Sequence, residues 1–326
     1  MKFIKNALRL FKTAGAEWSN DKAARLGASL SYYTIFSIAP LLLLVIAVAG
    51  LVLGTQAAQG KIVEQLGGLL GPDAAKAIQT MIEKASQRGS GIIATVIGFV
   101  TLIVGATGVL IELQDSLNTV WKVVPKPGRG IKGILRDRLL SFGIVLGFGF
   151  LMLVSLVISA AVAVLDSWIG GLIPGWVVIG YLLSYGISMG LVAFVLAAIF
   201  KILPDVKIAW RDVWVGALVT SALFHAGKYG ISLYIGKASV ASTFGAAGSL
   251  AVLLVWIYYS SQIVLYGAEF TRVYANEYGS HVVPSENAIP VPETPLARAA
   301  MEKKIKQGEV PETPAGTALV KPQRQT

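Results

Sequence analysis

Apolar residues in this chain run in blocks of about twenty or more, divided by short charged stretches, with no sustained period-two alternation. Six blocks occupy approximately residues 28–53, 91–111, 139–165, 176–200, 213–235 and 246–270. About twenty helical residues span the roughly 30 Å hydrocarbon core of a bilayer. Backbone groups in lipid must find hydrogen bonds within their own segment, so these blocks predict helices; the alternating ten-residue strands of a membrane barrel are absent. The expected fold is all-α, a polytopic membrane protein with six transmembrane helices.

The stretches outside the blocks are patterned too. In residues 1–27, Phe3, Ile4, Ala7, Leu8 and Phe11 share one helical face, and Lys2, Lys5, Arg9 and Lys12 lie on another. That pattern predicts an amphipathic helix lying in the membrane interface. In the loop 54–90, Ile62, Val63, Leu66, Leu69 and Leu70 form one stripe, and Ala74, Ala77, Ile78, Met81 and Ile82 form another beyond Gly71-Pro72. Two short amphipathic helices capping the bundle are expected there. Residues 279–326 hold seven of the 13 prolines, few aromatics and mixed charge, which predicts a disordered tail. Its "VPETP" at 291–295 and 310–314 fits a motif read by a partner or an echo within low-complexity sequence. The domain plan is therefore a leader (1–27), a six-span membrane domain (28–278) and a tail (279–326).

Composition strengthens the membrane assignment: 55% of residues are hydrophobic and 14% charged, against about 25% charged in soluble domains. Of the 28 Lys and Arg, 22 lie in 1–27, 112–138, 201–212 and beyond 270. Positive loops stay in the cytoplasm, and with an even number of spans both termini are expected there. The net charge of +10 then predicts anionic lipid headgroups as partners and no nucleic acid. Without cysteine there is neither a disulfide nor a thiolate metal site, and no cofactor motif is present.

Candidate chemistry sits where polar residues enter the blocks. Pro40 lies inside "RLGASLSYYTIFSIAPLLLLVIAVAG", where it leaves the Phe36 carbonyl without its usual donor and predicts a kinked first span. Tyr32, Tyr33, Ser31 and Ser37 lie within two turns of it, as the wall of a cavity or as interhelical glue. Glu112, Asp115 and Asn118 recur every three residues at the end of the second span, fit to gate a pathway, bind a cation or pair with a base. Span six brings Gln262 to depth and sets Glu269 three positions before Arg272, as a local ion pair. In span five, His225 and Lys228 share a face near mid-membrane. Ionisable residues there normally face a bundle interior or wet cavity, although a neutral core histidine and a snorkelling lysine satisfy the same sequence. Small residues four apart at Gly50/Gly54, Gly143/Gly147 and Gly186/Gly190 predict close helix approach, within one bundle or in a homo-oligomer.

"GASLSYYTIFSIAPLLLLV", "LQDSLNTVWKV", "LPDVKIAWRDVWVGALVTS" and "GAAGSLAVLLVWIYYSSQIVLYGAEF" resemble, in order, the YihY/BrkB family of bacterial inner-membrane proteins across roughly residues 15–275. The resemblance implies six spans, an inner-membrane location, an association with virulence, and transport of lipids or other envelope compounds. It places Tyr32, Tyr33, Pro40, Asn118, Trp121, Pro204, Trp210, Lys228, Trp256, Gly267 and Glu269 on the family's emphasised positions; His225 is outside that pattern. The family also carries an older label, ribonuclease BN. Zinc-dependent hydrolysis needs clustered histidines and acids, and this chain has two histidines, His225 and His281, far apart. The label is rejected and no enzyme is expected.

These readings converge on a transporter or flippase-like exporter of a lipid or amphiphilic solute. Its path would be lined by Tyr32, Tyr33, Ser37, Pro40, Glu112, Asp115, Asn118, His225, Lys228, Gln262 and Glu269. The alternative is a structural protein of the envelope that recruits partners through 54–90 or the tail.

Overall fold

The computed structural model describes residues 2–70, 72–86, 108–127, 143, 147, 176–238, 247–292, 301 and 303–305. The predicted span 139–165, apart from 143 and 147, and most of 91–111 fall outside them. Helices α1 (Lys2–Asn20), α2 (Ala23–Leu53), α3 (Thr55–Leu70) and α4 (Pro72–Ser86) come first. Helix α5 (108–120) and strand β1 (Val123–Pro125) follow. Then come α6 (Trp176–Ile202), β2 (Val206–Lys207), α7 (Trp210–Ala238), α8 (Gly248–Tyr278), β3 (Val283–Pro284) and β4 (Ala288–Pro290). Helix α6 from Tyr185 to Ile202, and α8 throughout, are long and apolar enough to cross a membrane. Helix α2 continues unbroken through Pro40.

Helix α8 is the hub, packing on α1, α2, α4 and α7. Its contact with α7 is made by two five-residue segments of the same design, Gly216–Thr220 and Gly267–Thr271. A Cβ on Gly216 would lie 1.8 Å from Thr271 Oγ1, and one on Gly267 would lie 2.0 Å from Thr220 Oγ1. Each threonine therefore fills the notch left by the other helix's glycine. Its hydroxyl donates back to its own helix, Thr220 to the Gly216 carbonyl and Thr271 to the Gly267 carbonyl, both at 2.7 Å. Nearer the other end, the Tyr259 hydroxyl occupies a notch at Gly227. Among the described helices, close approach thus occurs at Gly27, Gly216, Gly227 and Gly267. Gly50 and Gly54 form the turn into α3, with Gly54 at φ 81° and its N–H donating to the Gly50 carbonyl at 2.9 Å. Among the described residues, no atom lies within 4 Å of a Cβ placed on Gly143, Gly147, Gly186 or Gly190.

The two ends of the bundle are built differently. At one end, α3 and α4 fold back on the C-terminal half of α2 and the first turns of α8. Ile62, Ala74, Ile78 and Ile82 pack there with Leu42, Val45, Ile46, Val252, Leu253 and Trp256. Ile62, Val63 and Leu66 of the first predicted stripe and Ala74, Ala77, Ile78, Met81 and Ile82 of the second all join this cluster, while the side chains of Leu69 and Leu70 lie outside the described ones. Pro72 opens α4, where its missing N–H costs no helical bond.

At the other end, two short antiparallel ladders tie the segment after α8 to earlier connections. Strand β1 pairs with β4, with Val124 opposite Ile289, and β2 pairs with β3, with Val206 opposite Pro284. Val282, Ala288 and Ile289 are buried. This corrects the expected disorder from residue 279: the chain is ordered through 292, because its backbone groups find partners on strands that its composition does not reveal. The second "VPETP" lies outside the described residues.

Helix α1 is also docked more firmly than a free interfacial helix. Leu10 and Ala14 are buried against Phe270 of α8. The Tyr266 hydroxyl donates to the Phe11 carbonyl at 2.9 Å, and Arg9 pairs with Glu277. Ile4 and Leu8 remain exposed, so the predicted apolar face is divided between the bundle and its surroundings. Helix α1 ends at Asn20, where Asp21 and a left-handed Lys22 (φ 54°) turn the chain into α2.

Candidate functional site

Five ionisable side chains converge where α1, α2, α8 and the end of α5 meet. Glu17 lies in the last turn of α1, and Asp21 lies in the break before α2, one turn further on. Lys122 follows α5 in a left-handed conformation (φ 57°), which costs about 1–2 kcal/mol for a residue with a Cβ. That conformation places its ammonium against Asp21 Oδ1 and 3.5 Å from Glu17 Oε2. Glu269 and Arg272, three apart on α8, complete the set.

Arg272 is the bridge. Its Nη2 donates to Glu17 Oε2 at 2.5 Å and to Glu269 Oε2 at 2.9 Å, and its Nε donates to Glu269 Oε2 at 3.2 Å. Glu269 is fully buried. Burial alone would raise the Glu17 carboxyl, but the Arg272 hydrogen bond and charge, with Lys122 behind them, hold it below the ordinary glutamate value. Three carboxyls against two cations leave a formal charge of −1 when all are ionised. Asp21 Oδ2 and Glu269 Oε1 are buried without a hydrogen-bond partner. One carboxylate oxygen from each of Glu17, Asp21 and Glu269 falls within 4.8 Å of the others.

The predicted Glu269–Arg272 pair is present, and it belongs to this larger network. Glu17, Asp21 and Lys122 were missed. The available signal was slight: Glu17 and Asp21, one turn apart, are the only acids in the otherwise basic residues 1–27.

The other predicted residues are distributed over several seams. Tyr33 and Ser37 of α2 face α5, where a Cβ on Gly108 would lie 3.7 Å from Tyr33 Cδ1 and 4.0 Å from Ser37 Oγ. Ser37 is buried, whereas Tyr32 and Tyr33 are exposed and stack edge to face at 5.7 Å. Pro40 lies further along α2. Glu112 and Asp115 lie beyond Gly108 on α5. Asp115 reaches solvent, yet its carboxyl is raised above the ordinary aspartate value, first by partial desolvation and then by the like charges of Glu112 and Asp205.

Asn118 is committed to a clamp. Its amide donates to Asp205 Oδ2 at 3.1 Å, and its carbonyl oxygen accepts the Asp205 backbone N–H at 2.8 Å. That pins the α6–α7 connection to α5. His225 is buried against the Tyr185 ring of α6, 5.4 Å away, with Nδ1 2.9 Å from the Ser221 carbonyl oxygen. Lys228 is half-buried one turn further on. Gln262 enters a notch at Gly27 of α2 and reaches the Ala23 carbonyl at 3.5 Å, leaving its own Oε1 buried and unpartnered.

Residues 14–289 match the family described as Virulence factor BrkB. The chain is 26% identical to a UPF0761 membrane protein of Methylibium petroleiphilum, over 86% of this chain and 65% of that protein. It is 27% identical to one from Alcanivorax borkumensis, over 78% and 58% of the two chains. With one from Pseudoalteromonas translucida it shares 29% identity over 76% and 80%. The chain thus spans about three fifths of the length of the first two relatives. No solved structure matches.

Proposed function

The chain is a membrane protein of the BrkB family, and from that premise we propose a transporter or flippase-like exporter that performs no enzymatic step. Its substrate is a lipid or an amphiphilic envelope solute. Six spans cross the bacterial inner membrane with both termini in the cytoplasm, and anionic headgroups meet the basic end. Support for that orientation comes from the ladders and α1: the leader, the connections after α5 and α6, and the segment after α8 all gather at one end. Those are the Lys- and Arg-rich stretches.

The observation carrying the reading is the buried charge network on α8. Ionisable groups at a membrane boundary are expensive to bury and are normally retained for ion or solute handling. The α2–α5 seam supplies the path, with Tyr33 and Ser37 along it and Glu112 and Asp115 at its mouth. Lys228 attracts an anionic group, and the Phe36 carbonyl freed by Pro40 offers an acceptor. Asn118 pins the end of α5 and Gln262 braces α2 against α8, while His225 holds the separate seam between α6 and α7.

Reconstitution into liposomes with labelled lipids and amphiphilic solutes, under an imposed ion gradient, tests the proposal. The wild type should move at least one of them, and Lys228→Ala should lower that flux at least tenfold with helicity unchanged. The scaffold reading rests on the exposed polar face of α3, with Lys61 and Glu64 side chains 58% and 72% exposed. Absence of flux across the panel, together with loss of the cellular phenotype on deleting residues 55–86, would establish it instead.

A further inference from the structure

We propose that the charge network binds one proton, shared between Asp21 and Glu269, and that this proton joins the α1–α2 break to α8. Each of the two acids has one oxygen engaged, Asp21 Oδ1 by Lys122 and Glu269 Oε2 by Arg272. The remaining oxygens, Asp21 Oδ2 and Glu269 Oε1, are buried and have no hydrogen-bond partner, and the two carboxyls lie within 4.8 Å of each other. Two carboxylates this close in a desolvated space repel when both are ionised. A single proton on either acid supplies the donor for an O–H···O⁻ hydrogen bond between them, of the strong, charge-assisted kind. The same proton brings the network's formal charge from −1 to zero.

A metal ion fits less well. Calcium takes six to eight oxygens and zinc about four ligands. Here, one oxygen of each of the three acids already holds a cationic side chain, and Arg272 and Lys122 would repel a further cation. The charged groups facing the pair are Glu17 from α1, Lys122 from the end of α5 and Arg272 from α8. Helix α7 presents Gly216 and Thr220 to this stretch of α8, neither of them ionisable.

The location gives the proton mechanical consequence. Asp21 sits in the two-residue break between α1 and α2, beside left-handed Lys22, whereas Glu269 is fixed on the hub helix. Loss of the proton turns an attraction across that joint into a repulsion, and uptake restores it. Within the transport reading this names the proton as the coupling ion. The inference itself rests only on the network, and its test reads the proton directly, so it can fail while transport stands.

Infrared spectroscopy of the full chain in nanodiscs tests it. A protonated-carboxyl C=O band, shifted in D₂O, should be present at neutral pH. Glu269→Gln and Asp21→Asn should each remove the band, while Glu64→Gln on the exposed face of α3 should retain it. Absence of any such band in the wild type at neutral pH overturns the proposal without recourse to a variant. A band that persists in either well-folded variant also overturns it. Equilibrium dialysis with Ca²⁺ or Mn²⁺ supplies the remaining outcome: stoichiometric binding lost in Glu269→Gln would replace the proton with a metal.

Discussion

The end of the bundle closed by α3 and α4 is held by apolar contact, whereas the opposite end is held by directional bonds between distant segments. In the first, Ile62, Ile78 and Ile82 each lie at 1% exposure or less within a continuous apolar cluster. In the second, an apolar core around Leu117, Phe200 and Leu265 is supplemented by the Glu17–Arg272–Glu269 network, the Asn118–Asp205 clamp and two ladders. Apolar burial is non-directional and tolerates adjustment. A buried ionic network permits few alternative arrangements, since removal of one partner strands a charge. The contrast argues that one end provides closure while the other fixes how α1, α2 and α8 meet.

Four perturbations separate these roles. Arg272→Met leaves Glu17 and Glu269 without their shared donor and should cost about 3–5 kcal/mol. Thermal unfolding in detergent would register it, and adding Glu269→Gln should recover part of the loss. Ile78→Ala should cost about 2–5 kcal/mol through the cavity left behind, with faster hydrogen exchange confined to α3, α4 and the adjoining turns. Were exchange to accelerate around Glu269 as well, the two ends would not be independent.

Gly216→Ala drives a methyl to 1.8 Å from Thr271 Oγ1 and 2.6 Å from its Cβ, and overpacking of this kind costs about 1–3 kcal/mol. Thr271→Gly in the same chain should restore stability, and Thr271→Ala should not, because the Cβ remains.

The smallest effect concerns pH. Glu17 binds its proton more weakly in the folded protein than in the unfolded chain, so its contribution is fully present above its ordinary value of 4.5. It is lost as pH falls through the lower folded value. Below about pH 4.5 the wild-type melting temperature should fall more steeply than that of Glu17→Gln; parallel curves would show that Glu17 is not held by Arg272.

Much of the helical layout was legible in the sequence. The amphipathic stripes of α3 and α4 appear at the predicted positions because helical periodicity places i, i+3 and i+4 on one face. The Glu269–Arg272 pair was legible for the same reason. The Gly216/Thr271 and Gly267/Thr220 notches were not, because each glycine is explained by a threonine on the other helix. The two ladders were hidden for a similar reason: strands of two or three residues carry no periodic signature, and their partners lie in connections elsewhere in the chain.

The sequence by itself determined the membrane-protein class, the approximate positions of α2, α6, α7 and α8 and the apolar faces of the α3–α4 hairpin. Each follows from local hydrogen bonding and the exclusion of apolar surface from water, which act between near neighbours. Only the tertiary structure decided that Glu17 meets Arg272 across 255 positions and that Lys122 meets Asp21 across 101. Charges carry no address in the sequence: any of the cations could serve any of the acids until helix packing brings particular pairs within a few ångströms and removes the water between them.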